Sequence, residues 1–163
     1  MSNVIKASSD YAGVDQPAVI GKIYEELYVD SSGQTVTRYI RCFKADNSAV
    51  AAGDVVGRAA ADMRAMYSLG EARKAPAGGL SKPKVYGVAI AAVPQNSYGF
   101  VVCRGICNVA AKTGVAAGAS LKTHSVAGQV DTYSAGAGTS SQIIGIALAA
   151  ESSNSLEAYI DCL

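Results

Sequence analysis

Val85-Tyr-Gly-Val-Ala-Ile-Ala-Ala-Val-Pro-Gln-Asn-Ser-Tyr-Gly-Phe-Val-Val102 has a second version further along the chain. That version is Ile143-Ile-Gly-Ile-Ala-Leu-Ala-Ala-Glu-Ser-Ser-Asn-Ser-Leu-Glu-Ala-Tyr-Ile160, and the two align without a gap. Gly87/Gly145, Ala89/Ala147, Ala91/Ala149, Ala92/Ala150, Asn96/Asn154 and Ser97/Ser155 are identical, and aliphatic residues exchange at Val85/Ile143, Val88/Ile146, Ile90/Leu148 and Val102/Ile160. Each copy reads as a hairpin, with an apolar strand, a polar Asn-Ser turn and a second apolar strand. Side-chain alternation sorts the first arm into two faces. Tyr86, Val88 and Ile90, with Ile144, Ile146 and Leu148, make a bulky face that suits a core. Gly87, Ala89 and Ala91, with Gly145, Ala147 and Ala149, make a thin face that lets another layer of backbone approach.

A smaller echo precedes each hairpin: Val50-Ala-Ala-Gly-Asp-Val-Val56 and Val115-Ala-Ala-Gly-Ala-Ser-Leu121. The larger unit is therefore an Ala-Ala-Gly turn feeding a strand, a variable connector, then the hairpin. In the first unit the connector, residues 59–75, is rich in Ala and sets Met63, Met66 and Tyr67 at helical spacing. It predicts a short helix ended by Pro76 and Gly78-Gly79. In the second, residues 123–138 read as strand, turn, short strand and Gly-rich loop. Upstream, Gly21–Val29 alternates as an exposed antiparallel strand does, Asp30-Ser-Ser-Gly-Gln34 is a turn, and Thr35–Lys44 returns. Residues 1–20 are polar, broken by Gly13 and Pro17, and read as a flexible N-terminal arm, mobile or ordered against a partner.

These elements imply an all-β fold: a small antiparallel β-barrel or β-tulip-like domain over residues 21–163, with an internal hairpin repeat and one short helix. Strands are expected at about 21–29, 35–44, 85–93, 98–110, 115–123, 143–150 and 156–163. A chain of 163 residues that is 50% hydrophobic has enough apolar mass for one core. Lys and Arg number 14 against 13 acidic residues, so the near-neutral charge offers no case for nucleic acid or an anionic membrane as partner. The apolar runs are far shorter than the roughly 18 residues of a membrane span, and Met1–Asp10 has no signal-peptide core, which points to synthesis and use in a cytoplasm.

No catalytic, cofactor-binding or metal-binding set emerges from the sequence. Cys42, Cys103, Cys107 and Cys162 lack zinc-knuckle spacing and read as four free thiols, at least three of them buried. Cys103 and Cys107 are expected on the same side of one strand, beside Val101 and Val109. His124, the single histidine, has no nucleophile motif near it. Gly114–Gly118 and Gly136–Gly138 do not match a phosphate loop, Glu25, Glu26 and Asp62 form no acid–base pair, and Lys82-Pro-Lys84 is too small an anion patch.

The order Ala-Ala-Gly-Asp-Val-Val (51–56), Val-Tyr-Gly-Val-Ala-Ile-Ala (85–91), Gly-Phe-Val-Val-Cys-Arg-Gly (99–105), Val-Ala-Ala-Gly-Ala-Ser-Leu (115–121) and Ile-Ile-Gly-Ile-Ala-Leu (143–148) resembles the head decoration, or capsid cement, proteins of tailed bacteriophages. The resemblance spans residues 50–163; the Met-rich insert at 59–75 and the cysteines depart from it. It implies a non-enzymatic structural protein on the outer capsid surface, without cofactor, whose partners are the major capsid protein and two further copies of itself in a homotrimer. The thin Gly/Ala faces and the tyrosines Tyr24, Tyr28 and Tyr39 supply candidate contact area. The alternatives are another virion β module (tail, fibre or minor shell component) or a small-ligand-binding β-barrel.

Overall fold

The computed structural model describes residues 8–46, 48–58, 63–76, 80–124, 126–135 and 143–163. Met1–Ala7 of the expected arm, residues 59–62 of the expected helix, its stop at Gly78-Gly79, and the Gly-rich stretch 136–142 lie outside them. The elements run β1 (Ile23–Val29), β2 (Thr35–Ala45), β3 (Val55–Gly57), α1 (Met63–Leu69), β4 (Glu71–Lys74), β5 (Val85–Ala89), β6 (Tyr98–Ala110), β7 (Ser120–Thr123), β8 (Val130–Thr132), β9 (Gly145–Ala147) and β10 (Ser155–Asp161). All strands join one sheet in the order β1-β2-β4-β3-β5-β6-β10-β9-β7-β8, and a further pairing of β2 with β6 closes β2, β4, β3, β5 and β6 into a ring. The all-β class with one short helix is as expected. One departure is that β2 and β4 pair in parallel, through Lys44–Glu71 and Ala45–Ala72.

Two long strands organise this arrangement. On β6, residues 98–104 pair with β2, while the opposite edge carries β5 at Val101–Val102 and then β10 over 104–110. Likewise β2 shares one edge between β1 and β4. A register shift between Tyr39 and Ile40 leaves Cys103 as an extra residue in β6, a bulge that bends the strand at the junction. Just beyond it, Gly105 has φ +117, and a Cβ there would stand 2.9 Å from Arg38 Cα and 2.6 Å from its Cβ. No other residue type fits that approach without moving β2.

The cores follow from this sharing. A smaller one draws on all five ring strands: Phe43 and Ala45, Val56, Ala72, Tyr86 and Ala89, and Val101, joined by Met66 of α1. Strands closed in a ring converge on their inner faces, so these side chains fill the ring. Arg41 is buried beside them, stacked 3.8 Å from the Tyr86 ring centroid with Nε donating to Tyr86 O at 2.9 Å. The larger core packs Ile40, Cys42, Val55, Val88, Phe100 and Val102 against Cys107, Val109, Leu121, Val130, Ile144, Leu156 and Ile160. Gly70, at φ +65, ends α1 early, and its carbonyl accepts from Lys44 N–H at 2.8 Å, which turns the rest of the expected helix into β4.

The two repeat copies share their local shape. Bends fall at 90–91 and 148–149 and turns at 95–96 and 153–154, and Asn96 and Asn154 have φ of 62° and 60°. Their strand registers differ. Val88 faces Val102 in the first copy, whereas Ile146 faces Tyr159, not Ile160, in the second. A slip of one residue exchanges the faces of a strand. The second copy therefore buries its thin side, Gly145 and Ala147, with Ile160, and turns Ile146 and Leu148 of its bulky side outward while Ile144 stays in the core. Ile146 and Leu148, expected in the core, are 47% and 46% exposed. In the first copy a shift in the β3–β5 register near Gly87 sends Tyr86 with Ala89 to the small core and Val88 to the large one. The thin faces are thus covered within one chain and require no neighbouring subunit.

Residues 8–20 lie along the domain. Gly13 and Tyr98 exchange backbone hydrogen bonds of 3.1 and 2.7 Å, and Tyr11, Ala18 and Ile20 pack on the larger core.

Replacing Gly105 by Ala should lower unfolding free energy by about 2 kcal/mol or more, read from the urea midpoint. Unchanged stability would show that β2 can yield at Arg38. Ala147→Glu places a carboxylate in the core and should abolish the cooperative transition.

Candidate interaction surface

The residues with reactive chemistry are occupied structurally. All four cysteines are buried and free. Burial pushes the thiols up, to about 11 for Cys42 and about 12 for Cys107, and raises Cys103 and Cys162 as well. Such thiols stay protonated and unreactive at neutral pH. The bulge separates the two cysteines of β6: Cys107 enters the larger core, while Cys103 points its Sγ 3.2 Å from Tyr39 O. His124 is buried, accepts from Val126 N–H through Nδ1 at 3.0 Å, and has Nε2 3.4 Å from Asp131.

Glu26 pairs with Arg38 Nε at 2.6 Å, Lys82 lies 3.4 Å from Asp161, and Gly114 N–H donates to Glu151 at 3.1 Å. Asp62 and Gly136–Gly138 fall outside the described residues. Among the described residues no group of three His, Cys, Asp or Glu side chains is placed to hold a metal, and no helix is long and apolar enough to cross a membrane.

What the fold does present is apolar surface on strands. The register slip sets Ile106, Tyr159 and Ile146 side by side across β6, β10 and β9, with Leu148 two residues further along. Tyr159 is 41% exposed and Ile106 half-buried, so the four make a contiguous apolar row on the outer sheet face. Charges border it: Glu157 and Asp161 flank Tyr159 along β10, and Arg104 lies 3.4 Å from Asp161. A second apolar face belongs to β1, an end strand of the sheet, where Leu27 is 73% exposed and Ile23 and Val29 are also exposed.

The tyrosines expected to form contact area on this hairpin do something else. Tyr24 is buried in the larger core with its hydroxyl accepting from Val19 N–H, Tyr28 lies under the Arg38 guanidinium at 4.1 Å, and Tyr39 is half-buried. Alternation in β1 has the other parity: the aliphatic residues face water and the tyrosines face the domain. Sequence reasoning missed both apolar rows, because it ranked side chains by size before the register was known. The aliphatic residues Ile23, Leu27 and Val29, all of one strand parity, were the available signal.

No protein-family model and no curated protein matches this chain. Among solved structures it is similar to the head fiber gp8.5 N base in bacteriophage phi29, at 17% sequence identity and a TM-score of 0.51. The match covers 76% of this chain and 95% of that one. The likeness is one of fold, and it extends over nearly the whole of the phage domain.

The thiols give a pH prediction. In the unfolded chain they ionise near the ordinary value of 9.0, whereas the folded chain keeps them protonated to about 11 in Cys42 and about 12 in Cys107. Above pH 9 the unfolded state has lost protons that the folded state retains, so stability should fall as pH rises through 9 toward 11. The urea midpoint should drop over that window, and less steeply in Cys107→Ala. In the same preparation at neutral pH, a thiol reagent should react slowly until denaturant is added.

Proposed function

We propose that this protein is a structural component of a bacteriophage head, held on the outer surface of the shell by protein–protein contacts and performing no catalysis. The observation that carries the reading is the exposed row Ile106–Tyr159–Ile146–Leu148, rimmed by charge, on a rigid sheet whose other face is core. Monomeric soluble proteins seldom leave such a contiguous apolar strand surface in water, and an aromatic-aliphatic centre with a polar rim is the anatomy of a protein interface. Covering each of these side chains is worth about 1–2 kcal/mol, a gain multiplied over the many copies of a shell. The fold likeness to a phage head fiber base and the resemblance of residues 50–163 to capsid decoration proteins support the same setting.

Within it the partner is the major capsid protein, and the role is that of a decoration protein clamping neighbouring subunits, with self-association as a trimer at the local threefold positions of the shell. The second reading, a base that anchors a fibre to the head, is favoured by the identity of the structural neighbour. The two differ in consequence: a clamp raises the thermal stability of the shell, whereas a fibre base binds without doing so.

Purified protein mixed with shells that lack it should co-sediment with them, and Ile146→Asp or Tyr159→Asp should weaken this about tenfold or more while leaving the urea midpoint within about 0.5 kcal/mol of wild type. Wild-type protein that ignores bare shells would sink the reading. Analytical sedimentation of the free protein checks the trimer, and loss of the trimer in Ile146→Asp would assign the row to the subunit contact.

A further inference from the structure

The central strand β6 has one edge that is attached at two separated points. The ladder with β2 ends at Tyr39–Arg104, and the Ala51–Gly53 turn reaches the same edge further on, where Ala110 N–H donates to Gly53 O at 2.9 Å. Between these attachments opens a cleft of about 360 Å3, within the size range of binding sites. Its floor is Ala89, Val102 and Cys107; Tyr28 and Arg38 of the β1–β2 hairpin form one wall, and Asn108 and Ser155 the other.

Arg38 is the unusual member. Its side chain is 8% exposed, yet it donates a hydrogen bond only through Nε, to Glu26 at 2.6 Å. Its Nη groups donate to no protein atom among the described residues, although the guanidinium is stacked 4.1 Å from the Tyr28 centroid and so held in one plane. The Nη atoms are not sealed away from solvent, so they open on the cleft, where an acceptor on a guest can replace water. Among the described residues the Tyr28 hydroxyl and the exposed Asn108 amide likewise form no side-chain hydrogen bond. They share the cleft with the apolar side chains Ala89, Ile90, Val102 and Cys107.

The charges around the cleft select the guest. Glu26 already pairs with Arg38, Glu157 accepts from Ser31 N–H and Oγ at 2.8 and 2.6 Å, and Asp30 accepts from Ser32 and Gln34. Glu26 on Arg38, with Glu157 and Asp30 close to Tyr28, disfavours an anionic guest and favours neutral carbonyl oxygens.

We propose that this cleft receives an uncharged, extended segment of the shell protein, laid alongside β6 at residues 105–109, with backbone carbonyls taken by Arg38 Nη and a small aliphatic side chain on the Ala89–Val102–Cys107 floor. This is strand addition at a partly open edge, where main-chain hydrogen bonds give affinity and a pocket gives selectivity. Asn108 stands two residues from Ile106 on the same strand face, so the cleft adjoins the apolar row and one partner can cover both. The inference rests on the shell-binding reading above.

Its test uses shells lacking the protein and the full chain. Ala52 is exposed at the rim, so Ala52→Trp should fill the cleft without disturbing the fold, and Arg38→Lys keeps the charge but loses the planar fork. Both should weaken co-sedimentation about tenfold. Amide exchange at Asn108 should slow in wild type on the shell, and added acetate should not displace it. Wild type that fails to bind shells defeats the shell-binding reading itself. Wild type that binds while Ala52→Trp binds equally well overturns the cleft proposal alone, as does displacement by acetate, which would mark an anion site. Ala52→Trp that binds shells normally but loses self-association would assign the cleft to a second copy and overturn the proposal too.

Discussion

The structure depends on the close approach of β2 to β6 at Gly105. There the two long strands part company: β6 leaves its ladder with β2 after Arg104 and continues alone with β10 on its other edge. The Cys103 bulge supplies the bend, and the missing side chain at Gly105 lets the Arg38 backbone lie against the strand. Because β6 belongs to both halves, the five-stranded ring and the β10-β9-β7-β8 extension share one strand and fold as one body. A bulky residue at position 105 pushes apart the two strands on which both cores are built.

A second consequence concerns the duplicated hairpin. The copies retain the same bends and the same left-handed Asn in the turn, so local sequence dictates local shape in both places. What differs is the neighbour. The first copy lies in the ring, with side chains of both faces enclosed. The second is placed where only one face meets core, and its register puts Ile160 opposite Gly145. The slender side goes inward because Ile160 and Tyr159 backbone crowd the space a larger residue would need at position 145. Ile146 and Leu148 are left outside.

The charged residues serve the architecture more than any reaction. Arg58 pairs with Asp46 and donates to Glu71 O at 2.9 Å beside the parallel β2–β4 contact, and Arg73 reaches the same Asp46 at 3.1 Å. Arg41 packs on Tyr86 in the ring. Arg38 differs from them in its place, since its guanidinium lines the cleft beside β6.

Much of the fold was legible in the amino-acid sequence, since period-two alternation, Asn-Ser and Asp-Ser-Ser-Gly turns and the absence of long helical patterns are local properties. They located β1, β2, β5, β6 and β10, the short helix, and the burial of at least three of the four cysteines, all of which the structure buries. Strand register is not local. It is set by whichever bulge, glycine contact or cross-strand side chain wins when strands meet, and a shift of one residue reverses inside and outside. The assignment of Ile146 and Leu148 to the surface, of Tyr24 to the core, and of Arg38 to the wall of a cleft was therefore decided only in the tertiary structure, by the contacts of β2 with β6 and of β9 with β10.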